Sequence, residues 1–264
     1  MASRSSEFMV SGAERLLRVS ASSVTAETGQ FQAEAGSWFE DPVVGVCRAA
    51  LGVLLDDATG YVVASGSPVD QRPVSLSIRL DLLADPPRRG AQMTAVGHLM
   101  DRDSSGATTC GAVHNADGRL LGLITHRSHL LTVPEAPPYP SDGIPSPAPG
   151  TSLREALGVQ ENGCGAIVLP PNRYAANGMG NVHGGVLIAG MEFAAMSALG
   201  ATGALRTISI DTVFVRPLDA GRTTTFRTTV RHRGRSMSVV EVVAIAETGK
   251  SGAFATVIVG GPQN

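Results

Sequence analysis

A chain of 264 residues, 43% apolar and 17% charged, has room for one large domain or two ordinary ones and can build a real core. A formal charge of −2 with one Trp and three Tyr excludes nucleic acid or an acidic membrane as the main partner. Cys47, Cys110 and Cys164 are odd in number and widely spaced. Structural disulfides and a metal site are therefore not expected, and a reducing cytoplasm is the expected setting. No stretch approaches the ~20 apolar residues that span a bilayer, and Met1–Phe8 lacks the apolar core of a signal peptide.

In chain order, a helix is expected to start near Val46-Cys47-Arg48-Ala49 and run through the apolar segment Ala50–Leu55 to Asp56 and Asp57. Four β-rich segments follow: Val74–Leu83, Gln92–Met100, Ala107–His114 and Leu120–Leu131. Leu131–Pro149 contains seven prolines and no apolar periodicity, so it reads as an extended spacer. The expected boundaries are a domain at 10–131, a Pro-rich linker at 132–151 and a second domain at 152–264.

The second domain repeats the first. Val182-His183-Gly184-Gly185, followed by the apolar run Val186–Met191 and then Glu192, aligns with Val46–Asp56 at an offset of 136 residues. Each half puts a carboxylate nine residues after the aligned Cys or His. Strands are then expected at Leu205–Val215, Arg222–Arg231, Met237–Glu247 and Phe254–Val259. Gly118 and Gly249 mark matching turns before the last strand of each half. A long helix followed by an antiparallel meander, twice, is an α+β architecture.

The chemistry concentrates in Asn177-Gly178-Met179-Gly180-Asn181-Val182-His183-Gly184-Gly185. Glycines opening a helix leave backbone N–H groups uncovered at the positive end of the helix dipole, where a developing oxyanion can be held. Asp56 and Asp57 point ~100° apart on a helix, so one of them is expected to be merely solvated. Cys47 is expected to be a small buried side chain rather than a nucleophile, and His183 to fix the loop through a ring hydrogen bond. His98, His114, His126 and His129 show no metal-ligand spacing.

Asn177, Gly180, His183, Gly184, Gly185 and Glu192 fall on the Asn-x-x-Gly-x-Val-His-Gly-Gly signature, with its downstream acid, that residues 160 to 260 share with PaaI-type hotdog-fold thioesterases. The segment Thr207–Pro217 and Arg233-Gly234-Arg235 also resemble that family. The first half departs from it, with Cys47-Arg48-Ala49 in place of His-Gly-Gly. The whole chain therefore resembles a fused double hotdog, two tandem hotdog domains in one polypeptide.

Such a resemblance implies an acyl-CoA thioesterase, with coenzyme A as part of the substrate, no separate cofactor and no metal. Gly184 and Glu192 are ~12 Å apart along one helix, so each site is expected between the halves. One would combine the Gly184 N–H and Asn177 with Asp56 and Ser75. The other would combine Glu192 and Thr207 with the start at Cys47–Ala49, where Arg48 puts a long side chain in the way. The first is expected to be the working site. Asp56, or Glu192, would act as base or nucleophile, and Ser75 or Thr207 would orient water. Gly185, Arg216, Arg233 and Arg235 are the expected substrate-binding residues, the arginines on the phosphates of coenzyme A. The alternatives are a non-hydrolytic acyl-CoA-binding or regulatory protein and an enoyl thioester hydratase. Association into a homodimer of double hotdogs stays open.

Overall fold

Two apolar helices set the plan of the molecule, and the computed structural model describes residues 8–87, 89–132, 143–163 and 165–261. Helix α1 spans Gly12–Leu17, α2 Leu51–Ser65, α3 Leu153–Ala156 and α4 Gly184–Leu199. Helix α2 is entered through a tight 3₁₀ turn at Arg48–Ala50, whereas α4 begins at once, with His183 as its N-cap. Gly200 ends α4 with φ of 57°, in the left-handed region that glycine adopts without steric cost.

The strands are β1 (Ser20–Val24), β2 (Thr28–Glu34), β3 (Glu40–Asp41), β4 (Gly45–Val46), β5 (Gln71–Leu82), β6 (Gln92–Arg102), β7 (Gly106–Asn115) and β8 (Leu120–Thr132) in the first half. The second half adds β9 (Gln160–Glu161), β10 (Ile167–Leu169), β11 (Arg206–Phe214), β12 (Thr224–Arg233), β13 (Met237–Ala246) and β14 (Ser251–Gly260). All eight expected strands are present within a few residues. The strands before each helix, β2 and β10, were not expected from the sequence.

Among the described residues, twelve strands form one sheet in the order β1-β2-β6-β7-β8-β5-β11-β14-β13-β12-β10-β9. The order is symmetric about the β5–β11 pair, where Ser77 opposes Val213 and Asp81 opposes Ser209. Running outward from that seam, β5-β8-β7-β6-β2 is matched by β11-β14-β13-β12-β10, so the repeat seen in the sequence is a repeat in space. The seam is antiparallel, so the two halves are related by an approximate two-fold rotation.

Helix α2 packs on β2, β6, β7 and β8, while α4 packs on β10, β12 and β13, and the helices touch each other. Their contact sits where Gly185 of α4 meets Gly52 and Val53 of α2. A side chain at Gly185 would collide with that backbone: a methyl would come within 2.4 Å of Val53 N. Gly185 is therefore a packing residue of the contact between the two helices. Gly185→Ala should cost about 1–3 kcal/mol, the usual range for overpacking. The measurement is a thermal melt, in which an unchanged midpoint would contradict the packing role.

Candidate active site

The start of α4 lies against the middle of α2, and this brings Gly184 and Asp56 together. A methyl on Gly184 would stand 2.6 Å from Asp56 Oδ2. Gly184 is partly exposed, in contrast to the buried Gly185, and the Asp56 side chain is 12% exposed. As a first-turn donor, the Gly184 N–H has no acceptor within its own helix. The start of α4 and a carboxylate of α2 are thus neighbours at a partly exposed place, one from each half.

His183 does what its place at the helix start suggests. Its Nδ1 accepts from the Gly185 N–H at 3.0 Å, and its Nε2 lies 3.3 Å from Asp57 Oδ1 and 3.5 Å from Glu14 Oε1. Burial pulls the imidazole pKa down, while Asp57 and Glu14 pull it up more strongly, to well above the ordinary value. Against that pull, the Gly185 N–H requires a lone pair on Nδ1. The geometry fixes the tautomer: the ring proton sits on Nε2, shared with the two carboxylates.

Glu14, Asp57 and His183 lie within 4.8 Å of one another, as cation ligands would. With Nε2 protonated, however, the ring offers them a hydrogen and not a lone pair. Asp57 is consequently not the solvated neighbour of Asp56 that the helical wheel implied. It is 4% exposed, because α1 folds back over α2 and brings Glu14 against it. The Ser11 side chain that holds Glu14 also bonds Ala176 O at 2.9 Å, tying α1 to the loop before His183.

Burial first, and then the neighbouring Glu14, push the Asp57 pKa from 3.8 up to about 7. A raised carboxyl favours the fold in its protonated form. This contribution is complete below the unfolded value of 3.8 and is lost as the pH rises through about 7. The melting temperature should therefore fall across that window, and Asp57→Asn should flatten the fall. An equally steep dependence in the variant would contradict the assignment.

Two residues beside the adjacent aspartates, His126 at Asp56 and Glu14 at Asp57, carry no signal in the sequence repeat. His126 on β8 has Nδ1 3.7 Å from Asp56 Oδ1 and Nε2 2.9 Å from the Ser75 hydroxyl. Ser75, expected in the site, is thus linked to Asp56 through a histidine passed over in the sequence. Glu14 is the other, recognisable beforehand just as part of the capping box Ser11-x-x-Glu14.

Asn177 serves the loop. Its Oδ1 accepts from the N–H groups of Met179 and Asn181, at 2.9 and 3.1 Å, so that oxygen is committed to the turn that positions His183 and Gly184. Gly180, at φ 76°, closes the same turn.

The pseudo-symmetric place in the other half is sealed. Glu192, Thr207, Cys47 and Ala49 are each 0% exposed. Glu192 Oε2 accepts from the Ala49 N–H at 3.0 Å, so the carboxylate itself fills the position of an oxyanion. Burial raises the Glu192 pKa, and burial followed by the nearby Glu192 raises that of the Cys47 thiol well above its ordinary value. Arg48, expected to stand in the way here, is held at the margin of the site. It turns aside to Asp85 at 2.6 Å and to the carbonyls of Leu82 and Thr207, each at 3.2 Å. What closes the site is the absence of an opening, so Glu192→Gln should leave kcat within about twofold of wild type, as a residue remote from the chemistry would. Steady-state hydrolysis checks this, and a loss comparable to that of an Asp56 variant would contradict it.

The expected phosphate grip is only partly assembled. Arg233 donates to Ala198 O at 2.9 Å, at the C-terminal end of α4, about 21 Å along the helix from Gly184. Arg235 follows it in the β12–β13 connection and is exposed. Neither is beside Asp56. Arg216 follows β11 and donates to Ser251 O at 2.9 Å. It lies two residues before Leu218, whose carbonyl accepts from Val182 N–H, so it stands nearer the loop that opens α4.

Residues 179–253 match the family model of the thioesterase superfamily, a segment that begins in the loop just described. The structure resembles the tesB protein of Mycobacterium avium subs paratuberculosis, with TM-score 0.65 and 10% identity over 94% of this chain and 97% of that one. The chain is a double hotdog. An acyl-CoA thioesterase II from Mycobacterium marinum gives TM-score 0.57 at 10% identity, covering 96% of this chain and 97% of the other. The 12:0-ACP thioesterase from Umbellularia californica gives 0.62 at 13%, covering 89% and 94%. No curated protein matches the chain in sequence. Among the described residues of this double hotdog, no helix is long and apolar enough to cross a membrane.

Proposed function

We propose that this double hotdog hydrolyses acyl-CoA thioesters to the free acid and coenzyme A, at one site per chain between its halves. The observation that carries the reading is the approach of Asp56 Oδ2 to Gly184 across the α2–α4 contact. The match of residues 179–253 to the thioesterase superfamily supports it, as does the naming of the structural relatives as thioesterases.

In this reading the substrate carbonyl oxygen takes the Gly184 N–H at the positive end of α4. Asp56 removes a proton from water as the water oxygen attacks the carbonyl carbon, and the carbon–sulfur bond then breaks to release the thiolate. Ser75 orients the water. Coenzyme A enters as part of the substrate, with Arg216 the arginine best placed to meet it. A PaaI-type role in lipid metabolism in the cytoplasm, and pairing of two double hotdogs, extend the same reading.

A hydratase is less well served. His183 has one ring nitrogen on Gly185 and the other on Asp57 and Glu14, which leaves neither for an enoyl substrate. The test is release of free thiol from acyl-CoAs ranging from acetyl to palmitoyl. Turnover supports hydrolysis; tight binding without turnover would instead make this a binding protein.

A further inference from the structure

His126 is 2% exposed and surrounded by hydroxyl groups. Thr59 Oγ1 lies 2.9 Å from Leu55 O and 3.2 Å from Asp56 O, and a carbonyl can only accept. The single Thr59 hydrogen is therefore spent on the backbone, and toward His126 Nδ1, 3.0 Å away, Thr59 must accept. Nδ1 carries the ring hydrogen. Nε2 keeps its lone pair, facing the hydroxyls of Ser75 at 2.9 Å and Ser128 at 3.2 Å. Of the two hydroxyls Ser75 is the nearer and takes that lone pair, donating backwards into the ring and presenting its own lone pairs on the other side.

We propose that His126 is a positioning residue of the hydrolytic site, which while neutral holds the Ser75 hydroxyl as an acceptor for the attacking water and on protonation reverses it. This rests on the hydrolytic reading of the Asp56–Gly184 site. A water that donates one hydrogen to Ser75 and the other to Asp56 has its own lone pairs free for the carbonyl carbon. With a proton on Nε2, Ser75 must accept from the ring, and its hydrogen swings forward onto the water. The water then loses one acceptor, and a lone pair needed for attack is occupied.

The groups facing the ring allow such a device to operate. Helix α2 supplies Asp56 and Thr59, β5 supplies Ser75, and β8 itself supplies Ser128. From β7, Thr109 reaches the His126 carbonyl. Asp56 is the charged member of this set, with His183 Nδ1 3.5 Å from its other oxygen. Burial lowers the His126 pKa below 6.5, with Asp56 opposing. The ring is thus neutral at neutral pH, and activity should fall on the acid side as it charges.

The experiment compares pH profiles of kcat for wild type, His126→Ala and His126→Gln, with ring-nitrogen NMR of the wild type. His126→Ala should lose about tenfold in kcat, the scale of one positioned hydrogen bond, with KM little changed. His126→Gln keeps an acceptor for Ser75, so it should recover most of that loss and lack the histidine's acid limb. NMR should show the neutral ring protonated on Nδ1. An Nε2–H tautomer, full kcat in the alanine variant, or an unmoved acid limb in the glutamine variant would overturn the proposal while leaving thioester hydrolysis intact. Failure of the wild type to hydrolyse any acyl-CoA would overturn both.

Discussion

Asp56→Asn is expected to lower kcat by about 10²-fold or more, the range typical of losing a general base, with the fold unchanged. The substitution keeps the size of the side chain and removes its basicity. Its neighbours Gly184, His126 and His183 all stand close to the carboxylate, and an amide can still hydrogen-bond among them. The loss should therefore appear in kcat and not in the melting curve. A variant with wild-type kcat would remove Asp56 from the chemistry. Losses shared equally with Glu192→Gln would mean that the sealed site also works.

The second large effect is expected at Gly184. A side chain there covers the α4 N–H and, at 2.6 Å from Oδ2, drives into Asp56. Loss of one oxyanion donor typically removes ~3 kcal/mol of transition-state stabilisation, or about 10²-fold in rate. Gly184→Val should show at least that loss. Gly184 has helical backbone and stands at the partly exposed edge of the site, so the melting temperature should move little. The contrast with Gly185, whose substitution meets immovable backbone, makes the pair informative. Adjacent glycines should fail differently, one in rate and one in stability. A Gly184→Val enzyme at full activity would reduce the helix start to a packing feature.

The repeat was legible because the offset of 136 residues keeps the apolar run and its carboxylate in phase, and alternation in the strands is a local signal. The pairing of Asp56 with Gly184 could also be reached, since rise per residue forbids Gly184 and Glu192 from meeting on one helix. What escaped depends on chain return. Glu14 lies 43 positions from Asp57, and His126 lies 70 from Asp56; just the path of α1 and the position of β8 in the sheet bring them in. The adjacent aspartates could not be ranked for burial, because whatever covers Asp57 lies elsewhere in the chain. Arg48 likewise has a position that the sequence reveals and a direction that it does not: Asp85 decides where the side chain points. Strand β10 is three residues long, too short for alternation to register.

The central claim is that one working site per chain is built from Asp56 of the first half and Gly184 of the second. A crystal structure with a non-hydrolysable acyl-CoA thioether ketone tests it most directly. One analogue per chain is expected, its carbonyl oxygen ~2.7–3.1 Å from the Gly184 nitrogen and its carbonyl carbon beside Asp56. An analogue bound beside Glu192, or one whose carbonyl lies away from Gly184, would contradict it.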